Sequence, residues 1–231
     1  FADDYSQIKS MIWAPGAGVS GFSALGEILK GDVNPSGRTV DTFVKDLQQT
    51  PYINNIGNHA YSNVDDLKKA IVAADESAEG NISFVNYAEG IYTGYKFYET
   101  AAEEGFLNYE DTVQYPFGYG LSYTSFTQSM ENFKDNGNQL SFDVEVKNTG
   151  KVAGKDVVQV YFTPPYYNGG IEKSAVNFID FGKTKLLNPG ESEKLSFTIN
   201  KEDLASYDSE GVKVKGGGYI LEAGDYKLSI R

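Results

Sequence analysis

The sequence contains no cysteine, one histidine, one tryptophan and two methionines among its 231 residues. Without thiols there can be no disulfides, no thiolate metal sites and no cysteine nucleophile. That usage fits a reducing cytoplasm, which is the expected compartment. The one histidine, His59, lies in the polar stretch NNIGNHAYSN, and no G-x-S-x-G elbow accompanies it. A Ser-His-Asp triad therefore has nothing to be built on, one imidazole does not make a zinc site, and His59 reads as a loop residue. Basic residues are also scarce. Twenty Lys and Arg against 32 Asp and Glu give a net charge of −12, which repels polyphosphate, so no nucleic-acid partner is expected. No apolar run approaches the ~20 residues needed to cross a bilayer, so no membrane partner is expected either. The opening residues, FADDYSQ, carry neither the basic nor the apolar segment of a signal peptide.

What is abundant is aromatic and glycine: 17 Tyr, 14 Phe and 25 Gly, the composition of a β-rich chain with many turns and a packed core. The fold expected is α/β followed by all-β. Residues 1–125 read as the C-terminal part of an α/β sandwich domain. Within them, residues 8–15 (IKSMIWAP) are apolar over 11–14 and read as a buried parallel strand entering a glycine turn. Val19, Phe22, Leu25, Ile28 and Leu29 follow at helical spacing, closed by Gly31. A second helix is expected over 64–78, where Leu67, Ala70, Ile71 and Ala74 share a face and Asp65 and Asp66 suit the first turn. A short strand over 82–85 and a helix over 90–102, with Tyr95 and Tyr98 on one face, complete this part. One strong parallel strand cannot form a sheet alone, so the other strands of this domain are expected outside these residues.

The pattern changes near Phe126. Over 140–147 (LSFDVEVK) apolar and polar residues alternate strictly, as in a strand with one face on a core and one in water. Further strands are expected over 157–162, 183–187, 194–199 and 226–230, separated by turn sequences such as Asn188-Pro189-Gly190 and Ala223-Gly224-Asp225. Residues 126–231 thus read as an immunoglobulin- or fibronectin type III-like β-sandwich able to fold by itself.

Several motifs invite chemistry. Gly16-x-Gly18-x-x-Gly21 follows the expected strand and opens a helix, with Asp41 twenty residues further on. A nucleotide-binding βα unit would use those glycines against a pyrophosphate and the acid on a ribose. However, the second strand is replaced by the turn Asn34-Pro35-Ser36-Gly37-Arg38, so no cofactor is expected. The acidic pairs Asp3-Asp4, Asp65-Asp66, Glu103-Glu104 and Glu110-Asp111 are adjacent in sequence, whereas catalytic carboxylates pair in space; they read as solvated loops and helix starts. Glu89, in YAEGIY, can serve as a helix-start charge, an ion-pair member or a site residue. Asn81-Ile82-Ser83 matches the N-glycosylation sequon.

Three segments together resemble glycoside hydrolase family 3, the family of many β-glucosidases. They are Trp13-Ala14-Pro15-Gly16 running through Ala24–Gly31 to Asn34-Pro35-Ser36-Gly37-Arg38; YAEGIYTGYKFY over 87–98; and PFGYGLSYT over 116–124. The stretches KNTGKVAGKDVVQVYF and LLNPGESEKLSFTI resemble the fibronectin type III-like domain that follows in that family. The resemblance implies a retaining, exo-acting β-glycosidase hydrolysing terminal β-linked sugars. Its partners would be a β-glucoside or related oligosaccharide and a (β/α)8 barrel that carries the nucleophile. That nucleophile is an Asp usually followed by Trp, and here Ile12 precedes Trp13. The general acid/base lies upstream of the Trp-x-x-Gly segment in the family. No catalytic, cofactor or metal residue is therefore carried over onto this chain, and these residues alone are expected to be inactive. The stretch Arg38-Thr39-Val40-Asp41 departs from the more usual Arg-Leu-Pro. The alternative reading is a non-catalytic carbohydrate-binding or interaction module. Apolar surface left by the missing strands around Met11, Ile12 and Trp13 would favour self-association or docking of the rest of the enzyme.

Overall fold

The computed structural model describes residues 4–16, 18–55, 59–74 and 83–231. In chain order its elements are α1 (Gly21–Lys30), β1 (Phe43–Val44), 3-10 turns at Leu47–Gln49 and Ile53–Asn55, α2 (Val64–Ala74), α3 (Tyr95–Glu103), α4 (Tyr109–Thr112), β2 (Val113–Tyr115), β3 (Phe126–Asp135), β4 (Gln139–Asn148), β5 (Val157–Thr163), β6 (Asn177–Lys183), β7 (Ser192–Asn200), a 3-10 turn at Lys201–Leu204, β8 (Ser206–Asp208), β9 (Gly218–Ile220) and β10 (Lys227–Ile230). The second half is a sandwich of two antiparallel three-stranded sheets, β3-β4-β7 and β10-β5-β6.

The alternation in β4 does what period two dictates. Leu140, Phe142, Val144 and Val146 face inward and are buried, meeting Val158, Val160 and Phe162 of β5 and Phe197 and Ile199 of β7. Register places Phe142 opposite Phe197, and their rings stack 5.4 Å apart, a pairing worth about 0.5–1.5 kcal/mol beyond area burial. β5 is different: six consecutive residues are buried, which requires cover on both faces. The inner face is the sandwich core. The outer face, with Gln159 and Tyr161, is covered from the first half of the chain. Tyr95 of α3 lies 6.1 Å from the Tyr161 ring, and the Tyr95 hydroxyl accepts the Phe178 N–H at 2.7 Å. The Thr100 hydroxyl accepts the Ala175 N–H at 3.0 Å, and Arg231 lies 4.7 Å over the Tyr161 ring while making a bidentate pair with Glu99.

Four sequence expectations are corrected. Residues 8–15 form no strand: a strand needs at least one neighbour to pair with, and the described residues supply none. Trp13 is 70% exposed, with the ring of Phe43 edge-on beside it at 5.4 Å. Around 82–85 the structure has a single bridge, Ser83 with Ala60, and residue 82 lies outside the described residues. The strand expected over 183–187 lies earlier, as β6, because Leu187 is buried through an isolated bridge to Gly154 rather than through a ladder. The helix expected over 90–102 begins at Tyr95, after the Gly94 bend. α1 forms as expected, its C-terminus closed by the Gly31 N–H on Ile28 O at 2.9 Å. α2 also forms, through Ala74; residues 75–78 of the expected helix lie outside the described residues.

Asp208 organises the far loop. The side chain is buried at the end of β8, and its carboxylate accepts the N–H groups of Val212, Lys213 and Val214 at 2.9, 2.7 and 2.9 Å. Desolvation opposes the charge, but these backbone donors outweigh it and hold the carboxyl below its ordinary range. A depressed folded-state value stabilises the protein above the unfolded carboxyl's range, and that gain is lost as pH falls through the lowered value. Asp208→Asn should therefore unfold at lower urea concentration at neutral pH, with the gap to the parent closing in acid. Separately, because α3 and residues 116–124 cover the outer face of β5, a polypeptide of residues 95–231 should melt above one of residues 126–231. Each kcal/mol is worth roughly 4–8 °C at this size. Residues 1–125 alone should show no cooperative transition.

Candidate functional site

The motif residues singled out in the sequence scatter. His59 stacks near Phe84, at 5.9 Å, and its carbonyl accepts the Phe84 N–H at 2.9 Å; the imidazole Nε2 is buried without a partner among the described residues. Glu89 lies in the turn before α3, half-buried, with one carboxylate oxygen lacking a partner among the described residues. Asp65 and Asp66 are exposed in the first turn of α2. Glu110 and Asp111 are exposed in the first turn of α4, whose N-cap Asn108 accepts both their N–H groups. Glu103 and Glu104 are exposed at the end of α3; Asp4 is exposed, and Asp3 lies outside the described residues. Asn81 and Ile82 of the sequon also lie outside them. At Gly16 and Gly18 an added Cβ would meet nothing within 4 Å, and β1 pairs antiparallel with β2 instead of continuing a parallel sheet. The βαβ frame of a dinucleotide site is not present among the described residues. Nor do these residues contain a group of three metal-ligating side chains.

Other residues do converge. Residues 34–39 and 116–124, two of the segments that carry the family resemblance, run side by side and wedge between α1 and the sandwich. The Thr39 N–H donates to Tyr119 O at 2.7 Å, the Gly118 N–H to Thr39 O at 2.8 Å, and the Thr39 hydroxyl to Pro116 O at 2.7 Å. Asn34 accepts from the Ser122 hydroxyl at 3.0 Å and the Tyr123 N–H at 2.8 Å, while donating to Ala153 O at 3.0 Å. The Tyr123 hydroxyl donates to Ile28 O at 2.8 Å, satisfying an end carbonyl of α1. The glycines of PFGYGLSYT are there for clearance: a Cβ on Gly118 would sit 1.9 Å from Gln159 Oε1, and one on Gly120 would sit 2.3 Å from Gly37 O.

At the centre is an ion pair. Arg38 Nη2 lies 2.5 Å from Asp156 Oδ1, with the Asp156 side chain 5% and the Arg38 side chain 25% exposed. Arg38 Nη1 donates to Gly120 O, and Gln128 Nε2 donates to Asp156 Oδ2 at 2.9 Å. Beside the pair, Gln159 Nε2 donates to Gly118 O at 3.0 Å and its Oε1 accepts the Tyr161 hydroxyl at 2.7 Å. Burial pushes the Tyr161 hydroxyl up, so it remains a donor. A cleft of about 520 Å³ opens here, lined by Arg38, Phe117, Tyr119, Gln128, Asp156 and Arg231 among others. Among the described lining residues the one carboxylate is Asp156, already matched by Arg38, whereas retaining glycoside hydrolysis uses two carboxyl groups about 5 Å apart. Among the described residues the cleft is a structural junction where the Asn34–Thr39 and Pro116–Thr124 segments meet the sandwich.

Sequence reasoning found the Asn34–Arg38 and Pro116–Thr124 segments without finding their joint purpose, and nothing in GKDVVQVYF marks Asp156 as their partner. Removing the cation would leave that carboxylate buried. Arg38→Gln is expected to cost about 3–5 kcal/mol, the range for breaking a buried pair, toward its lower end given the partial exposure of Arg38. Urea unfolding of the single variants Arg38→Gln and Asp156→Asn and of the double variant checks this, the double costing clearly less than the sum.

Comparison with known proteins agrees with the order of these segments. Residues 2–95 match the glycosyl hydrolase family 3 C-terminal domain, and residues 156–231 match the fibronectin type III-like domain. Beta-glucosidase A of Butyrivibrio fibrisolvens is 35% identical over 241 residues, covering 97% of this chain and 25% of the relative. A beta-glucosidase of Ruminococcus albus is 35% identical over 228 residues, covering 98% and 20%. Among solved structures, a beta-glucosidase from Paenibacillus barengoltzii superposes with a TM-score of 0.71 at 35% identity, covering 91% of this chain and 20% of that one. Beta-glucosidase 3B from Thermotoga neapolitana, solved in complex with glucose, gives 0.68 at 34% identity, covering 89% and 24%. The chain spans a fifth to a quarter of these relatives' length. With both domain types in the family's order and the motifs of that order meeting at one junction, the chain belongs to glycoside hydrolase family 3.

Proposed function

We propose that the chain is the C-terminal part of a retaining, exo-acting β-glycosidase of the β-glucosidase type, hydrolysing terminal β-linked sugars. In such chemistry one carboxylate attacks the anomeric carbon, a second protonates the leaving oxygen, and water then resolves the glycosyl-enzyme. The carboxylates of the sequence pairs that the structure describes are exposed, and Asp156 is matched by Arg38. The nucleophile is assigned to a (β/α)8 barrel and the acid/base to neighbouring α/β strands, both outside these residues.

The observation that carries the reading is the contrast between the two halves. The sandwich has a closed core, whereas the described residues before Asn34 present apolar side chains to water, with Trp13 70%, Phe22 69% and Leu29 69% exposed. Exposed apolar surface of this kind marks an interface. Its occupant in the reading proposed is the remainder of the enzyme, whose sheet would pair with residues 8–15 and whose apolar side chains would cover α1. In its absence, a second copy of the chain can take that place.

Two measurements test this. The purified chain should give no turnover of an aryl β-glucoside above buffer; activity abolished by a point substitution within it would place catalytic carboxylates here. Light scattering across a concentration series should show association, weakened by Trp13→Ser with Phe22→Ser. A chain that stays monomeric at every concentration removes the support that self-association gives.

A further inference from the structure

The sequence contains two Asn-Gly dipeptides, Asn136-Gly137 and Asn168-Gly169, and their surroundings differ. We infer that Asn168 is a site of spontaneous covalent modification, deamidation through a succinimide, while Asn136 is protected by its own hydrogen bonds. The reaction needs only the chain and water. The backbone nitrogen of Gly169 attacks Cγ of Asn168, forming the N–Cγ bond. The Cγ–Nδ2 bond breaks, and the amide nitrogen leaves as ammonia with the proton from the Gly169 N–H. Water then opens the ring at either of its two carbonyls. One opening gives aspartate and the other isoaspartate, in which the main chain runs through the side-chain carbon. Glycine at the second position is what makes the attack accessible, because no Cβ shields its nitrogen.

Geometry separates the two sites. Asn136 closes the β3–β4 hairpin. Its Nδ2 donates to the Ser141 hydroxyl at 2.9 Å, its N–H to Gln139 O at 2.8 Å, and the Gly137 N–H to Asp135 Oδ1 at 3.0 Å. Leaving group and attacking nitrogen are both tied, and the Asp135 carboxylate opposes the negative charge that develops on that nitrogen. Asn168 lies exposed on the loop between β5 and β6. Neither its side chain nor the Gly169 N–H has a hydrogen-bond partner among the described residues. The turn itself is held by the Gly170 N–H on Tyr167 O at 2.8 Å, with Gly169 at φ +75°. Rotation of the Asn168–Gly169 peptide plane leaves that bond in place and brings the nitrogen toward Cγ. At Asn136 the same approach must break hydrogen bonds, each worth about 0.5–1.5 kcal/mol.

The product matters for the junction between the halves. The loop that carries Asn168 also carries Glu172, bonded to the Tyr92 hydroxyl, and Lys173, paired with Glu222 in the interior. Isoaspartate at 168 lengthens the main chain within that loop and adds a carboxylate to a chain already at −12.

Incubating the whole chain at mildly alkaline pH and mapping its peptides by mass spectrometry with isoaspartate-specific fragmentation tests the assignment. Asn168 should convert at least about ten times faster than Asn136, a barrier difference of about 1.4 kcal/mol. Gly169→Ala should slow conversion at 168, and Ser141→Ala should speed it at 136. Equal rates at the two sites, faster conversion at Asn136, or no isoaspartate at 168 would overturn it.

Discussion

Asp156 is a carboxylate with almost no access to water, and a charge in that position has to be met by a cation and by donors from the protein. Arg38, 118 residues away, supplies the cation, and Gln128 supplies a donor to the other oxygen. Satisfying this one group fixes the path of two segments. Arg38 can reach Asp156 only if residues 34–38 lie along the sandwich, and its other terminal nitrogen bonds Gly120 O only if residues 116–124 lie alongside. Gly118 and Gly120 then follow from clearance, since side chains at either position would collide with Gln159 or Gly37. The pair adds little net stability by itself, because desolvation of both ions offsets most of their attraction. Its effect is to make one arrangement of the halves much better than any other.

From that junction the anchoring spreads unevenly. α3 is held to the sandwich by the aromatic contacts of Tyr95 and by the Arg231–Glu99 pair, so the outer face of β5 is dry. Among the described residues, α1 is tied at its C-terminal end, where Tyr123 donates to Ile28 O and is itself held by Asn34. Its N-terminal turn and residues 8–16 receive little cover, which is why their apolar side chains meet water. Cover thus thins from the Arg38–Asp156 pair toward the described residues of 8–22, where apolar side chains such as Trp13 and Phe22 are exposed.

The sequence made legible what rests on local rules. β4 was readable because a strand with one wet face alternates, and α1 because its apolar spacing and Gly31 are local signals. β3 leaves no such pattern, because its exposed half and the register shift between Glu131 and Lys134, with Asn132 at φ 55°, break the alternation. The sequence points past β6 because Leu187 carries the apolar signature of a strand while making an isolated bridge. Residues 8–15 show the limit from the other side. Their composition states a need for burial on both faces, but it cannot state that the covering strands lie among these residues. The motif pair at the junction was visible as a resemblance, whereas its physical basis depends on Asp156, and a contact across 118 residues leaves no local trace.

The same accounting bears on where the chemistry belongs. A hydrolytic carboxylate must be poised: desolvated enough to be tuned, and near a second carboxyl across a gap that a glycosidic bond can enter. The most deeply buried carboxylates here are committed. Asp156 is matched by Arg38, Asp208 by backbone donors, and Glu222 by Lys173. Each is engaged by partners that fix its position. Glu89 differs in keeping one oxygen without a partner among the described residues. In Asp156, Asp208 and Glu222 this chain uses its buried carboxylates to fix architecture: each ties together segments that are distant in sequence or holds a loop in one path.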